Sequence, residues 1–110
     1  MAADEKPTLF LVMKVPGPEW NPTRERREQD GWDEHAAYID RLAEEGKVVL
    51  GGPAGEGDEV LVLFDAPDAE AVRAILADDP WTGTILEIAS VVPWTIWVDG
   101  RAGASREPAP

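Results

Sequence analysis

Cysteine is absent from the sequence, and histidine occurs only once, at position 35. A chain without cysteine forms no disulfide framework and offers neither a thiol nucleophile nor a thiolate metal ligand. Transition-metal sites usually combine several His or Cys ligands, so a single imidazole argues against a bound metal. No motif for a nucleotide or a flavin is present either. We therefore expect a protein that binds no metal and uses no cofactor.

Basic residues and long apolar segments are also scarce. Ten Lys and Arg residues stand against 22 Asp and Glu residues, which gives a formal net charge of −12. A protein of this charge repels phosphate backbones and anionic headgroups, so neither nucleic acid nor a membrane is an expected partner. No apolar run is long enough to cross a bilayer, and the N-terminal "MAADEKP" lacks the pattern of a signal peptide. We expect a soluble, cytoplasmic protein.

Two helices and four strands are predicted from apolar periodicity and from the positions of glycine and proline. The first helix begins at Trp32 and stops at Gly46; the second is capped by Asp68 and ends before Pro80. The 110 residues suffice for one hydrophobic core. We expect a flexible N-terminus over 1–7, one domain over 8–100 and a disordered tail over 101–110. The predicted strands cover 8–15, 47–53, 60–65 and 84–100, the last broken or bulged at Pro93.

The element order β-α-β-β-α-β predicts an α+β domain of the ferredoxin-like type, a sandwich in which two helices cover one face of an antiparallel sheet. A half-exposed strand alternates apolar and polar residues. Residues 9–13 and 60–64 are instead apolar at every position, so both faces of these strands should be buried. Since the helices cover only one face, the other is expected to pack against a second copy in a two-fold homodimer.

His35 lies on the first predicted helix, beside the apolar stripe formed by Ile39 and Leu42. A lone histidine in this position is often structural. It becomes a general base when a carboxylate orients one ring nitrogen and leaves the other for the substrate. The segment "DDPWTG" (78–83) could supply that carboxylate, from either Asp78 or Asp79. Asp-Pro is also a common helix-ending turn, so the spacing alone does not choose between them or exclude that both are solvated.

The 16–31 segment carries three prolines, two glycines and no apolar period. Loops of this length within a compact domain are usually functional or disordered. Asp30 or Gly31 at its end could cap the first helix. The loop also contains three arginines, any of which could hold an anionic group bidentately or could simply be solvated or paired with nearby glutamates: Arg24, Arg26 and Arg27.

Several further residues are candidates for a ligand pocket. Trp20 lies in the long loop and Trp81 in a turn, where either could wall a pocket or cover a dimer seam. Gly51, Gly52 and Pro53 end the second strand and indicate a tight bend or a close backbone approach. The glycines after them do not form a phosphate loop, because a strand follows and the required lysine is missing. For Trp32, Trp94 and Trp97, core or interface packing is the expectation.

These motifs, taken in order, resemble the YCII-related domain family. The resemblance covers about residues 8–98 and is carried by the helix histidine with "AAYIDRLAEEG", then "VVLGGP", an "EAV" helix and "DDPW". It implies a ferredoxin-like subunit in a dimeric α/β barrel, with an active site built on His35 and on Asp79, the carboxylate that directly precedes Pro80. The family looks like a relative of small cofactor-free isomerases and dehydrochlorinases. The loop over 16–31 is longer than in the shortest members of the family, so the resemblance does not identify the substrate of this protein.

The leading hypothesis is a cofactor-independent enzyme that acts on a small polar cyclic or aromatic substrate. Asp79 would orient His35 for proton transfer in an isomerisation, an elimination or a hydrolysis. A non-catalytic binding or interaction module is the alternative, and a purely structural His35–Asp79 pair is a third reading. The remaining pocket residues are expected to surround the substrate: Trp20, Tyr38, Gly51, Gly52, Pro53, Pro80 and Trp81.

Overall fold

A computed structural model describes residues 8–101 of the protein. The elements follow the predicted order β-α-β-β-α-β, with one short 3-10 helix in the long loop at Arg26–Glu28. Residues 1–7 and 102–110, for which flexibility and disorder were predicted, lie outside the described residues. The strands and helices are β1 Thr8–Pro16, α1 Trp32–Glu44, β2 Val48–Pro53, β3 Val60–Phe64, α2 Ala69–Ala77 and β4 Leu86–Thr95.

The four strands form one antiparallel sheet in the order β2-β3-β1-β4. This is the ferredoxin-like arrangement, in which each βαβ unit leaves a gap that a strand of the other unit fills. The predicted α+β fold with an antiparallel sheet and two helices is therefore confirmed. No helix within the described part of the chain combines the length and the apolar content needed to span a membrane.

The hydrophobic core lies between the sheet and the two helices. Side chains of β1 and β3 alternate between the sheet faces, as the strand period requires. Those facing the helices are buried against Leu42 of α1 and against Val72 and Leu76 of α2. The helix-facing apolar side chains of the two strands are Phe10, Val12, Val62 and Phe64.

The opposite face of the sheet, which we call the outer face, is also apolar. Cross-strand pairing places Leu50, Leu63, Leu11 and Val92 in one row across all four strands. Leu63 at the centre is buried, whereas Leu50 and Val92 are about half exposed, at 50% and 48%. Continuous apolar sequence in β1 and β3 therefore corresponds to two apolar faces, of which the described chain covers one.

The prediction for the last strand was wrong in extent and in the site of its irregularity. β4 covers ten residues rather than the whole of 84–100, because Thr84 lies in a turn in which its N–H donates to Trp81 O. The register shift occurs where β4 meets Met13 and Lys14 of β1, while Pro93 pairs regularly with Phe10. β4 is an edge strand, which accommodates a proline because only one of its sides is paired.

Candidate active site

The single histidine is in direct contact with a carboxylate that lies 44 residues later in the sequence. His35 lies in the first turn of α1, and Asp79 follows the C-terminus of α2. The Nδ1 atom of His35 lies 2.9 Å from Oδ1 and 3.0 Å from Oδ2 of Asp79. An ionised carboxylate only accepts hydrogen bonds, so Nδ1 carries the proton and donates. Asp78, the other carboxylate considered, is exposed.

The second ring nitrogen of His35 is left available for chemistry. With Nδ1 protonated, Nε2 of a neutral imidazole carries a lone pair. Among residues 8–101, no donor or acceptor forms a hydrogen bond with Nε2. The ring itself keeps 11% of its side-chain surface accessible. The arrangement therefore fixes the orientation of the imidazole and leaves Nε2 without a partner among the described residues, as a general base requires.

Asp79 is buried and is stabilised as a carboxylate by its surroundings. Its Oδ1 accepts the backbone N–H of Trp81 at 2.9 Å, and Lys14 Nζ lies 3.7 Å from Oδ2. Burial by itself would raise the pKa of Asp79. The hydrogen bonds from His35 and Trp81, with the charges of His35 and Lys14, outweigh that effect, so the pKa of Asp79 is lowered. Asp79 thus remains charged at neutral pH.

Lys14 completes the cluster and is a functional candidate that sequence reasoning missed. It follows Phe10 and Val12 on the helix-facing side of β1, where only 2% of its surface is exposed. Burial lowers the pKa of Lys14, and the nearby Asp79 carboxylate partly opposes this effect. The signal in the sequence was a lysine at an inward position of an apolar strand, since lysine is almost never buried without a partner.

Trp81 fixes the plane of the imidazole. Its ring stacks on His35 with centroids 4.1 Å apart and planes 7° from parallel. The indole Nε1–H donates to the backbone oxygen of Asp30 at 2.7 Å, which ties the turn after α2 to the start of α1. Trp32 packs against both rings at 5.6–5.8 Å. The histidine is therefore held by a carboxylate at one edge and by an indole on one face.

A cavity of about 340 Å³ opens beside His35. This volume is at the small end of the range for ligand sites and fits a molecule with one ring. Most of the lining is apolar and comes from α1, β2 and β3, while the titratable groups are few. Besides His35, the charged side chains of the lining are Lys14, Arg26 and Asp40.

The structure separates the predicted pocket residues into two groups. Trp81, Gly51, Gly52 and Pro53 line the cavity, and Trp32, expected to serve packing, lines it as well. The other three predicted residues lie outside its lining. Trp20 packs against the buried cluster of Trp81, Ile85 and Leu86, Tyr38 donates its hydroxyl to Ile75 O at 2.6 Å, and Pro80 is exposed.

The positions of Trp20 and Tyr38 have simple physical reasons. A tryptophan in a long loop can line a pocket or can anchor the loop onto the domain. Trp20 anchors the loop, because it packs against a buried cluster. Tyr38 lies one position away from Ile39 on α1, which turns its side chain by about 100° toward α2 instead of the cavity. Spacing along one helix decides the face of a residue, but not which neighbouring element that face meets.

No cluster of three His, Asp or Glu side chains that could hold a metal ion is found within residues 8–101. The titratable groups that do converge are one acid, one base and one amine: Asp79, His35 and Lys14. Such a set can hold, accept and return a proton at a bound molecule without any further group.

The fold and the site together define a class: a ferredoxin-like α+β domain with a His-Asp-Lys cluster beside an apolar cavity. A sequence model of the YCII-related domain matches residues 8–95. The match covers most of the chain, and the protein belongs to this family, as the resemblance in its motifs predicted. No curated protein and no solved structure matched the chain at a significant level.

Proposed function

We propose that the protein is a cofactor-independent enzyme that moves a proton on a small cyclic or aromatic substrate. The observation that carries the proposal is the orientation of His35. Asp79 holds the protonated Nδ1, so that the unpartnered Nε2 is the atom available at an apolar cavity. The reaction class is an isomerisation, an elimination of the dehydrochlorinase type or a hydrolysis.

In this mechanism Nε2 takes a proton from the substrate, or from a water that attacks it, and becomes an imidazolium. The Asp79 carboxylate stabilises that positive charge because it is buried and hydrogen-bonded to the same ring. The Lys14 ammonium lies on the cavity wall, where it stabilises the negative charge that develops on the substrate. The proton then returns from Nε2 to a different atom of the substrate or to the leaving group.

The size and character of the cavity support the substrate class. Two indole rings, Trp32 and Trp81, contribute flat apolar walls beside the imidazole. Gly51 and Gly52 present backbone without side chains, which leaves room for a ligand next to β2. A small ring with one or two polar substituents matches this mixture of apolar wall and few polar groups.

The most direct test follows proton exchange rather than a particular product. A panel of small cyclic ketones, lactones and chlorinated ring compounds would be incubated with the protein in D₂O and examined by NMR. We expect deuterium at an acidic carbon of at least one compound with the wild type, and a loss of at least roughly 100-fold in rate with His35→Ala. Circular dichroism checks that the variant is folded.

Tyr38→Phe is the matched control, because Tyr38 neighbours the site on α1 but lies outside the cavity lining. It should exchange at the wild-type rate. Exchange that persists in His35→Ala would sink the proposal. A compound that binds and returns unchanged, with no exchange, would instead favour the alternative of a non-catalytic small-molecule-binding module.

We further propose that the protein forms a homodimer through the outer face of the sheet, as the two sheets of a dimeric α/β barrel do. Support comes from the row of apolar side chains across the four strands and from the exposure of Met13, Leu50, Val92 and Trp94, each between 37% and 50%. A contiguous apolar sheet face of this kind is rarely left in water. A two-fold axis brings equivalent patches together and covers both at once.

A further inference from the structure

One arginine of the cavity lining has a side-chain nitrogen without a partner among the described residues. Nη1 of Arg26 is buried, yet it is the only buried side-chain nitrogen or oxygen in residues 8–101 without a hydrogen bond. Buried donors are nearly always satisfied, because removing them from water without compensation costs free energy. Arg26 also lines the ligand-sized cavity, and a guanidinium with an unsatisfied donor at that place points to an acceptor that arrives with the ligand.

The rest of the Arg26 guanidinium is held in place but not neutralised. Its Cζ atom lies 5.4 Å from the ring centroid of Trp20, and Nη2 donates to the backbone oxygen of Asp58 in the turn between β2 and β3 at a long 3.4 Å. Among the described residues, no carboxylate comes within ion-pair distance of Arg26.

The neighbouring arginines of the same loop are placed differently. Arg24 donates to Asp30 at 2.9 Å, and Arg27 is exposed and lies 5.9 Å from the ring of Trp32. Only Arg26 of the three lines the cavity. The sequence left open which arginine, if any, would meet a ligand, and the structure reduces the choice to one.

The loop that carries Arg26 is cross-linked internally. The buried Gln29 donates from Nε2 to the backbone oxygens of Asn21 and Arg24, and its Oε1 accepts the N–H of Asn21. A capping box between Glu25 and Glu28 closes the 3-10 helix at Arg26–Glu28. These bonds order the 16–31 segment before any ligand arrives, so the position of the guanidinium is preorganised.

We propose that the ligand of this cavity is a small carboxylate, and that Arg26 binds its carboxylate group. A guanidinium presents two parallel N–H donors that match the planar carboxylate. One arginine balances one negative charge, whereas a phosphate would carry more charge into an acidic protein. The lysine of the lining, Lys14, is already next to Asp79.

This inference rests on the proposed function only in using the same cavity, and it narrows the substrate class. The substrate would present its carboxylate to Arg26 and its acidic carbon or scissile group to Nε2 of His35. Arg26 is then a binding residue that positions the molecule, while the proton transfer remains with His35.

The test is a binding titration with three matched probes: benzoate, its uncharged analogue benzamide, and phenyl phosphate. Chemical shifts of the Trp32 and Trp81 indole N–H groups report occupancy of the cavity. We expect benzoate to bind the wild type and to bind Arg26→Gln at least roughly tenfold more weakly. Benzamide should bind both proteins equally and weakly. Arg73→Gln removes the same charge from an exposed position of α2 and should bind benzoate as the wild type does.

Three results would overturn the inference. They are unchanged benzoate affinity in Arg26→Gln, benzamide binding to the wild type as tightly as benzoate, and no benzoate binding at all. Phenyl phosphate binding that exceeds benzoate binding and depends on Arg26 would replace the carboxylate by a phosphate. Benzoate affinity and proton exchange are two separate measurements on the same wild-type protein. Benzoate binding that depends on Arg26, without proton exchange, would support the carboxylate site and contradict the catalytic proposal. Proton exchange without benzoate binding would do the reverse.

Discussion

The chemistry of individual residues in this protein centres on a negative charge in an unfavourable position. Asp79 is buried just after the C-terminus of α2, where the aligned peptide dipoles disfavour an anion. Hydrogen bonds from His35 and from the Trp81 N–H, together with the Lys14 ammonium, hold it there. Removing one group from such a set leaves the remaining charges and hydrogen-bonding groups without their partners, so the cluster behaves as a unit.

Asp79→Asn is expected to destabilise the protein at neutral pH by roughly 3–5 kcal/mol, because it leaves the buried Lys14 without its counter-charge. Urea denaturation of the variant and the wild type measures this difference. The matched control is Asp78→Asn at the adjacent exposed position, which should change the free energy of unfolding by less than about 0.5 kcal/mol. Equal effects of the two substitutions would contradict the assignment of Asp79 as the paired carboxylate.

Asp79→Asn should also change how the stability of the protein depends on pH. The pKa of Asp79 is lowered in the folded state from an ordinary value of 3.8, so the unfolded chain takes up this proton first. The stability that the ionised Asp79 provides is therefore present above pH 3.8 and is lost as the pH falls through the folded-state pKa. That component of the acid unfolding curve should be missing in Asp79→Asn and retained in Asp78→Asn.

At the scale of the elements, the start of α1 links the backbone to the site. Gly31, the N-cap residue, has a φ of 77°, in the left-handed region that favours glycine. A Cβ at this position would lie 3.3 Å from Nε1 of Trp81. Since Trp81 stacks on His35, a side chain at position 31 would press on the indole that holds the imidazole.

Gly31→Ala should therefore lower the free energy of unfolding by more than the backbone strain alone. Gly46, at the other end of α1, has a φ of 81° and nothing within 4 Å of an added Cβ, so Gly46→Ala measures the strain alone, about 1–2 kcal/mol. We expect a larger loss of unfolding free energy for Gly31→Ala, with a change in the near-UV circular dichroism of the tryptophans. Similar losses and unchanged spectra would show that the Trp81 contact adds nothing.

At the scale of the whole molecule, the sheet has one covered face and one open apolar face. Leu9 pairs with Trp94, and Leu11 pairs with both Leu63 and Val92, so apolar side chains meet across the strands of the outer face. The helices of the same chain lie on the opposite side. We propose a second copy of the chain as the partner that covers this face.

Trp94→Glu tests the dimer, because Trp94 is 49% exposed in the isolated chain and tolerates a charge there unless a partner covers it. In analytical ultracentrifugation the wild type should sediment at twice the 12.0 kDa chain mass, and Trp94→Glu should sediment as a monomer. Ala74→Glu places the same charge on an exposed position of α2 and should remain dimeric. A monomeric wild type would refute the proposed barrel.

Much of the fold was predictable from the sequence because its signals are local. Apolar periods, the Asp68 cap, whose carboxylate accepts the N–H of Ala71, and the glycine stops act within a few residues. They are sufficient to order the strands and helices. The extent of β4 was not predictable in the same way, since it depends on where β1 stops offering a partner and on the turn after Trp81.

The sequence by itself determined the element order, the two apolar strand faces and, through its motifs, the family and the candidate pair His35 and Asp79. Only the tertiary structure showed that these two side chains touch, that Lys14 joins them and that Arg26 alone of three arginines reaches the cavity. It also placed Trp20 and Tyr38 elsewhere. The reason is that residues 14, 35 and 79 belong to separate elements, and the distances between their side chains arise from how those elements pack, which no local pattern encodes.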